Sequence, residues 1–289
     1  MFSKIILASE PSKGAMDVVR CMKDLKKFGA KKCLVLQCFN QEDINATISL
    51  FILNLYEENL RKQKEILLEQ GYEVETRLIS GPLRKEINRI ALEEGYSVIV
   101  AESDSHSLLG EAVFGGVASE VIHHATKPVL LIRTPEHAQE DPSSLSECEL
   151  TGHVLFPTDF SDNARTAFEY VKKMAAEGLK KVTILHVQDQ SLVDPHFLKS
   201  MEEFNDTDFS KLMELKKELQ EAADVEVDAQ LIYGSPYVEI TRLVDEQEIP
   251  LVVMGSQGRG FIKELYLGSL SHNIARNSSA SVLLVPANR

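Results

Sequence analysis

The most informative stretch of the chain reads Met254-Gly255-Ser256-Gln257-Gly258-Arg259-Gly260. It follows the apolar run 251–253, and Gly268-Ser269 then precede apolar residues at helical spacing. This order predicts a strand, a glycine-rich loop and the start of a helix. Glycine lets backbone N–H groups approach an anion closely, and a helix N-terminus adds unpaired donors and a positive dipole end. The stretch therefore predicts a phosphate-binding row of main-chain N–H groups, with Ser269 as the helix cap.

The glycine spacing matches neither of the two common phosphate-binding motifs. Gly255, Gly258 and Gly260 follow G-x-x-G-x-G rather than G-x-G-x-x-G, and the chain contains no G-x-x-x-x-G-K-[ST]. The nearest approach to the second motif, Gly110 to Gly115-Gly116, lacks the lysine. On this local pattern alone, a strand-to-helix turn without a ligand remains the alternative.

Length and composition indicate an ordinary globular protein of two domains. The 289 residues suit two domains of roughly 140 to 150 residues each. A formal charge of −13 argues against nucleic-acid binding, which needs a positive surface. The chain shows neither a signal peptide nor an apolar stretch long enough for a membrane helix, so no membrane partner is expected. The four cysteines form no C-x-x-C pair, which favours a reduced, cytoplasmic protein in which Cys33 and Cys38 are buried, inert thiols.

The chain repeats its own pattern. Residues 3–10 match residues 152–159 in polarity at an offset of 149, and the same offset aligns 29–36 with 178–185. An offset of 153 aligns Gly81 with Gly234 and Gly115 with Gly268. We therefore expect two copies of one module, a domain over 1–134 and a domain over 153–289. Residues 135–152, with two prolines, adjacent serines and several acids, are predicted to be the linker between them.

Each copy alternates short apolar, β-branched runs with segments of helical periodicity. This alternation predicts an α/β fold with a parallel sheet that is covered by helices on both faces. Helix starts are predicted at Ser161, as a cap, and at Ser235 with Pro236 in the first turn. The long connections 41–70 and 189–223 are predicted to be helices. In the first of them, apolar residues are expected to face the core, namely Ile48, Phe51, Ile52, Leu55 and Leu60.

At Gly255, Gly258, Gly268 and Ser269 the chain carries the pattern G-x2-G-x9-G-[ST], and here it resembles the universal stress proteins. The resemblance covers essentially the whole chain as two tandem modules. It implies two Rossmann-like domains of the adenine nucleotide alpha hydrolase-like type, each with a five-stranded parallel sheet of order 3-2-1-4-5. It also implies a role in stress response, with ATP or another adenine nucleotide as ligand, with or without Mg²⁺. Pairing of modules through their last strands, as an intrachain pseudo-dimer or a homodimer, is implied as well.

The binding site is predicted where the glycine loop and the ends of the first two strands of the second copy meet, because open parallel sheets bind ligands at the carboxyl ends of their strands. The resemblance places a Pro-x-Asp motif at the nucleoside and the end of the second strand at the adenine. Asp159 is expected to bind a ribose hydroxyl or a metal, or alternatively to cap the following helix with Ser161. His186 has no partner histidine at metal-ligand spacing, so we interpret it as a wall of the pocket rather than a zinc ligand. The predicted nucleotide-binding residues are Pro157, Thr158, Asp159, His186, Val187, Met254, Gly255, Gly258, Arg259, Gly268, Ser269, Leu270 and Ser271.

The first copy lacks the glycine loop. At the 153-residue offset, Gly255 falls on Glu102, Gly258 on Ser105 and Gly260 on Ser107. A carboxylate at position 102 would repel a phosphate about 4 Å away by on the order of 4 kcal/mol at an effective dielectric constant of 20. We therefore expect one nucleotide per chain, in the second domain.

Three functions are compatible with these residues. The first is a nucleotide-dependent regulator that acts on an unknown protein partner. The second is a slow ATP hydrolase or nucleotidyl transferase, although no catalytic residue stands out beyond Asp159 and the H-x-G-H signature of related adenylyl transferases is absent. The third is an interaction scaffold that binds no nucleotide.

Overall fold

The protein is described by a computed structural model that covers residues 1–12, 14–39, 46–103, 116–134, 148–189, 198–258 and 267–287. The chain divides into two compact units, Met1–Glu149 and Leu150–Arg289. Most of the predicted linker, residues 135–147, lies outside the described residues. The predicted domain boundaries therefore stay a prediction.

The first unit contains five parallel strands and the helices that connect them. Its sheet has the order β3-β2-β1-β4-β5, which is the predicted order 3-2-1-4-5. A short 3₁₀ helix, Met22–Lys26, follows the first α-helix. The elements are β1 (Lys4–Ser9), α1 (Ala15–Cys21), β2 (Lys32–Phe39), α2 (Ala46–Glu69), β3 (Glu73–Ser80), α3 (Leu83–Glu93), β4 (Val98–Glu102), α4 (Gly116–Ile122) and β5 (Val129–Ile132).

The second unit repeats this arrangement. Its strands are parallel and lie in the order β10-β9-β6-β7-β8, which is again 3-2-1-4-5 when counted from the opposite edge within the unit. The predicted α/β class and repeat are confirmed. The elements are β6 (His153–Pro157), α5 (Asp162–Ala176), β7 (Lys181–Gln188), α6 (Leu198–Ala222), β8 (Glu226–Tyr233), α7 (Pro236–Glu246), β9 (Leu251–Gly255), α8 (Ser269–Asn277) and β10 (Ser281–Val285).

The core of each unit is built on its central strands. Every residue of β9 and β10 is buried, so these strands show continuous apolar runs rather than alternation, as expected for a sheet covered on both faces. In the second unit, the Phe156 and Phe168 rings pack with centroids 5.4 Å apart, joining β6 to α5. The helix starts agree with the sequence. The Ser161 side chain accepts a hydrogen bond from Ala164 N at 3.2 Å, and Pro236 occupies the first turn of α7.

The two long connections form helices α2 and α6, as predicted. The predicted burial along α2 is correct for Leu60, which is 6% exposed, but wrong for Phe51 and Leu55, which are 73% and 47% exposed. The described part of α2 covers the sheet with its C-terminal half, where Leu60 and Leu67 are buried. Apolar spacing marks one face of a helix, but it does not show how far along the helix that face is covered. None of the described helices is long and apolar enough to span a bilayer.

The cysteines differ from expectation at one pair. Cys21, at the end of α1, forms a disulfide with Cys148, and their Cα atoms are 5.4 Å apart. The expectation of a fully reduced protein is therefore wrong for this structure. The reason is that the pair is separated by 127 residues, and short-range spacing carries no information on such a contact. Cys33 is buried as predicted, whereas Cys38 is only half-buried. Both have free thiols whose pKa burial raises to about 12.

Candidate functional site

A cavity of about 430 Å³ opens in the second unit at the carboxyl ends of β6, β7 and β9. Its volume is in the range of small-molecule sites. It brings together nearly all of the predicted residues, although they are far apart in the sequence. The predicted residues that line it are Pro157, Thr158, Asp159, Val187, Met254, Gly255, Gly258, Gly268, Ser269, Leu270 and Ser271. Arg259 lies outside the described residues.

The apolar wall of the cavity was largely missed by sequence reasoning. Leu185 projects from β7 on the same face as Val187, and Pro236 and Ile240 come from the first turns of α7. Leu185 could have been predicted, because side chains two residues apart on a strand lie on the same face and Val187 was already placed in the site. No local signal marks Pro236 and Ile240, because only the packing of α7 brings them to the cavity. The remaining unpredicted lining residues are Ala164, Gln257 and Leu267.

Two glycines of the loop lie in close contact with polar side chains of the second unit. A Cβ atom at Gly258 would lie 2.8 Å from Asp159 Oδ2, and one at Gly255 would lie 2.8 Å from Asn163 Oδ1. Real Cβ atoms essentially never approach an oxygen so closely. The loop therefore holds two polar side chains against bare backbone, which explains the glycine pair of the sequence pattern.

The loop is fixed by its own hydrogen bonds. Ser256 N donates to Val285 O at 2.8 Å, and Gly268 N donates to Ser256 O at 2.8 Å. Gln257 N donates to the Asn163 side chain, also at 2.8 Å. The expectation that the loop offers a row of bare N–H groups is therefore wrong for Ser256 and Gln257. The donors that the described residues leave for an anion are Gly258 N and the first-turn N–H groups of α8, which have no intrahelical acceptor.

The start of α8 differs from the prediction by one residue. Gly268 is the N-cap, with φ −77° and ψ 159°, and Ser269 is the first helical residue. The predicted capping role of Ser269 is therefore wrong, because the extended backbone belongs to the glycine. The Ser271 hydroxyl lies 2.6 Å from Ser256 O and 3.0 Å from Gly268 O. Ser271 thus links the helix start to the glycine loop.

The segment after β6 forms a tight turn at the edge of the cavity. Thr158 N donates to Leu185 O at 2.8 Å, and the Thr158 hydroxyl accepts from Phe160 N at 3.1 Å. Asp159 Oδ1 accepts from Ser161 N at 3.0 Å, just before the helix that Ser161 caps. The two interpretations of Asp159 are therefore compatible, because one oxygen serves the turn while the other lies beside Gly258.

His186 is not part of the cavity wall. Because side chains alternate along a strand, its ring lies on the face of β7 opposite to Leu185 and Val187. Its Nδ1 is 2.7 Å from Thr158 O, and its ring packs on Phe160 with centroids 4.5 Å apart. The interpretation of His186 as a pocket wall is thus wrong for its side chain. The His186 ring instead contacts the turn after β6, at Thr158 and Phe160, from the face of β7 opposite the cavity.

Asp208 of α6 lies beside His186, with Oδ2 3.4 Å from the histidine Nε2. Burial by itself would raise the pKa of Asp208. Hydrogen bonds from Gln188 and Lys211, together with the electrostatic effect of His186 and Lys211, outweigh burial and hold the pKa below the usual range of an aspartate. A depressed pKa adds stability that is complete above the unfolded value and is lost as the pH falls through the folded value.

We therefore expect part of the acid destabilisation of the second unit to depend on Asp208. In urea titrations between pH 5 and pH 2, Asp208→Asn should flatten the fall of the unfolding free energy with pH. Asp206→Asn, an exposed change on the same helix, is the control. An identical pH slope for wild type and Asp208→Asn would contradict the assignment.

The equivalent end of β4 in the first unit is built differently. Glu102 stands where the second unit has Gly255, and its carboxylate accepts a hydrogen bond from the Ser12 hydroxyl. The carboxylate also lies against Gly14, the N-cap of α1. The Glu102 carboxylate is thus directed at the start of α1, and its effect on a phosphate at this strand end stays a prediction. Ser105 and Ser107 lie outside the described residues.

No three His, Cys, Asp or Glu side chains of the described residues come together as a group that could ligate a metal.

Comparison with known proteins identifies the modules. The family model described as "Universal stress protein family" matches residues 1–133 and 151–286. Universal stress protein MJ0577 of Methanocaldococcus jannaschii is 30% identical over 151 residues, which cover 46% of this chain and 93% of that protein. A universal stress protein of Mycolicibacterium smegmatis is 25% identical and covers 81% of this chain and 79% of its own length. A solved structure of a universal stress protein from Archaeoglobus fulgidus has the same fold, with a TM-score of 0.71 at 23% identity over 99% of this chain and 98% of its own. The chain therefore belongs to the universal stress protein family, as a tandem of two family domains.

Proposed function

We propose that the second unit binds ATP or another adenine nucleotide and that the protein acts in the cytoplasm as a nucleotide-dependent regulator in stress response. The observation that carries the proposal is the cavity itself. One side is apolar, with Leu185, Val187 and Ile240, and the other is formed by the glycine loop and the N-terminus of α8. An apolar wall suits a base, and helix-start N–H groups suit phosphate.

The residues present fit such a ligand. Gly258 N and the first turn of α8 would bind phosphate oxygens, and the lack of side chains at Gly255 and Gly258 lets Asn163 and Asp159 pack directly on the loop backbone. Asp159 Oδ2, on the same edge, would bind a ribose hydroxyl or a Mg²⁺ ion that accompanies the phosphates. Arg259 follows Gly258 in the sequence and would supply positive charge to a ligand on a chain with a formal charge of −13.

We further propose one nucleotide per chain. In the first unit, Glu102 brings a carboxylate to the strand end that Gly255 leaves bare in the second. A phosphate near that strand end would be repelled by this carboxylate, which is hydrogen-bonded to Ser12 and lies against Gly14. This arrangement favours a first unit without nucleotide.

A regulator is favoured over a dedicated enzyme by the composition of the cavity. Asp159 is the only carboxylate among the described residues that line it. Phosphoryl transfer needs a base or water-positioning group and usually a metal held by a carboxylate. Beyond Asp159, no carboxylate of the described residues lines the cavity to share these roles. Slow hydrolysis would appear as release of phosphate in proportion to protein concentration and would be lost with Asp159→Asn.

The pairing of modules through their last strands stays a prediction from the family resemblance. The molar mass of the protein in solution would distinguish a monomer from a homodimer. The identity of a protein partner would follow from capture with and without nucleotide.

The proposal predicts stabilisation by ATP. At 100 times its dissociation constant, a ligand that binds only the native state adds about 2.7 kcal/mol. We expect ATP to raise the unfolding midpoint of the second unit and inorganic phosphate at the same concentration to have a much smaller effect. A scaffold without a nucleotide site would show no shift with ATP, and that result would count against the proposal.

A further inference from the structure

Asn163 joins the glycine loop to the rest of the second unit. It lies in the first turn of α5 and is 7% exposed. Its side-chain amide nitrogen donates to Val285 O, at the end of β10, at 3.0 Å. Its oxygen accepts from Gln257 N at 2.8 Å. Both halves of the amide group are thus used, and each bonds to a backbone group of a different segment.

These bonds set the position of the loop at its most constrained point. Asn163 Oδ1 lies where a Cβ of Gly255 would be 2.8 Å away, so the side chain packs directly on the strand end. Val285 O also accepts from Ser256 N at 2.8 Å. Asn163 and Ser256 therefore share one acceptor, and Asn163 fixes the amide of the residue that directly precedes Gly258. The orientation of Gly258 N depends on that fixed peptide.

The first unit has a similar contact between a helix start and a strand end, but there the side chain comes from the strand rather than from the helix. At the 149-residue offset Asn163 corresponds to Gly14, and at the 153-residue offset Gly255 corresponds to Glu102. In the second unit the helix start contributes a side chain and the strand end a glycine. In the first unit the helix start contributes the glycine and the strand end contributes the Glu102 carboxylate, which lies against it. The two units therefore differ at this contact by an exchange of side chain and glycine.

We propose that Asn163 is a positioning residue that makes the second unit selective for the phosphate part of its ligand. It does not line the cavity, and it acts by holding Gln257 N so that Gly258 N and the start of α8 face the phosphates together. The inference rests on the proposed nucleotide site and deepens it. It assigns the phosphate-dependent part of the affinity to a side chain outside the cavity and the base-dependent part to the apolar wall.

The test compares ATP with adenosine by isothermal titration calorimetry on the full chain. Asn163→Ala should raise the ATP dissociation constant about tenfold or more, since one well-made hydrogen bond corresponds to about that factor. The dissociation constant for adenosine should stay as in wild type, because the apolar wall is unchanged. Asn163→Ser keeps a polar group for one of the two backbone partners, so its ATP dissociation constant should lie between those of wild type and Asn163→Ala. It provides the same test if Asn163→Ala folds poorly.

Asn88→Ala is the matched control. In the first unit, Asn88 Nδ2 donates to His124 O at 2.9 Å and its Oδ1 accepts from Thr126 N at 3.0 Å. Asn88 Nδ2 also donates to Arg84 O at 2.9 Å. Asn88→Ala therefore deletes side-chain to backbone hydrogen bonds of the same kind away from the cavity, so it should lower stability and leave the affinity for both ligands unchanged. Equal losses for ATP and adenosine in Asn163→Ala, or no loss for either, would overturn the inference while the nucleotide site stands. If wild type binds no ATP, the proposed function itself fails, and this inference with it.

Discussion

Gly258→Glu should abolish ATP binding, with a rise in the dissociation constant of about 100-fold or more. Two effects add at this position. The new Cβ would lie 2.8 Å from Asp159 Oδ2, so the Asp159 carboxylate has to turn away from its place beside the loop. The new carboxylate then faces the phosphates, and a like charge at about 4 Å costs on the order of 4 kcal/mol at an effective dielectric constant of 20, well over 100-fold. Titration calorimetry and mass spectrometry of nucleotide retained on purification would both report the loss.

Ser105→Glu is the control for this variant. Ser105 is the counterpart of Gly258 at the 153-residue offset in the first copy, so it receives the same charge in the unit that we expect to bind no nucleotide. Its ATP affinity should equal that of wild type. Gly258→Ala, which adds the clash without the charge, should lose less than Gly258→Glu. Unchanged ATP binding in Gly258→Glu would mean that the phosphate site lies elsewhere.

Loss of the Cys21–Cys148 disulfide should produce the largest change in stability. The bond closes a loop of 127 residues, and the chain-entropy estimate for such a loop is about 5 kcal/mol, as an upper value. In urea titrations of oxidised protein, Cys148→Ser should lower the unfolding free energy of the first unit by roughly 2 to 5 kcal/mol. Added reductant should destabilise wild type and leave the variant unchanged.

Cys38→Ser serves as the control, because Cys38 has a free, half-buried thiol. It should not alter the response to reductant. A peptide map of unreduced protein should contain a linked pair of peptides carrying Cys21 and Cys148. Absence of that pair from protein handled without reductant, together with an unaltered stability of Cys148→Ser, would contradict the disulfide.

The architecture follows from local physics, which is why it can be derived from the sequence. Runs such as 251–253 and 282–285 are apolar at every position, and only a sheet covered on both faces buries such strands completely. Ser161 and Pro236 mark helix starts through the backbone groups that they satisfy or lack. The internal repeat then supplies the same topology twice. The exposure of Phe51 could not be derived, because it depends on how far α2 is covered.

The candidate site was predictable where the chemistry requires glycine and where strand ends meet, but not where a contact joins distant segments. The loop glycines have a sequence signature because a side chain at Gly255 would clash with Asn163 and one at Gly258 would displace the Asp159 carboxylate. Asn163 itself has none, since its two partners are 94 and 122 residues away along the chain. His186 shows the converse limit. Its place at the end of β7 was clear, but the face that it occupies depends on strand alternation, which assigns Leu185 and Val187 to the cavity.

The nucleotide site can be tested most directly by a structure of the chain from crystals grown with excess ATP. We expect one nucleotide per chain, in the second unit, with its base against Leu185 and Val187 and its phosphates at Gly258 and the start of α8. Clear nucleotide density in the first unit, at Glu102, with the cavity of the second unit empty, would contradict it.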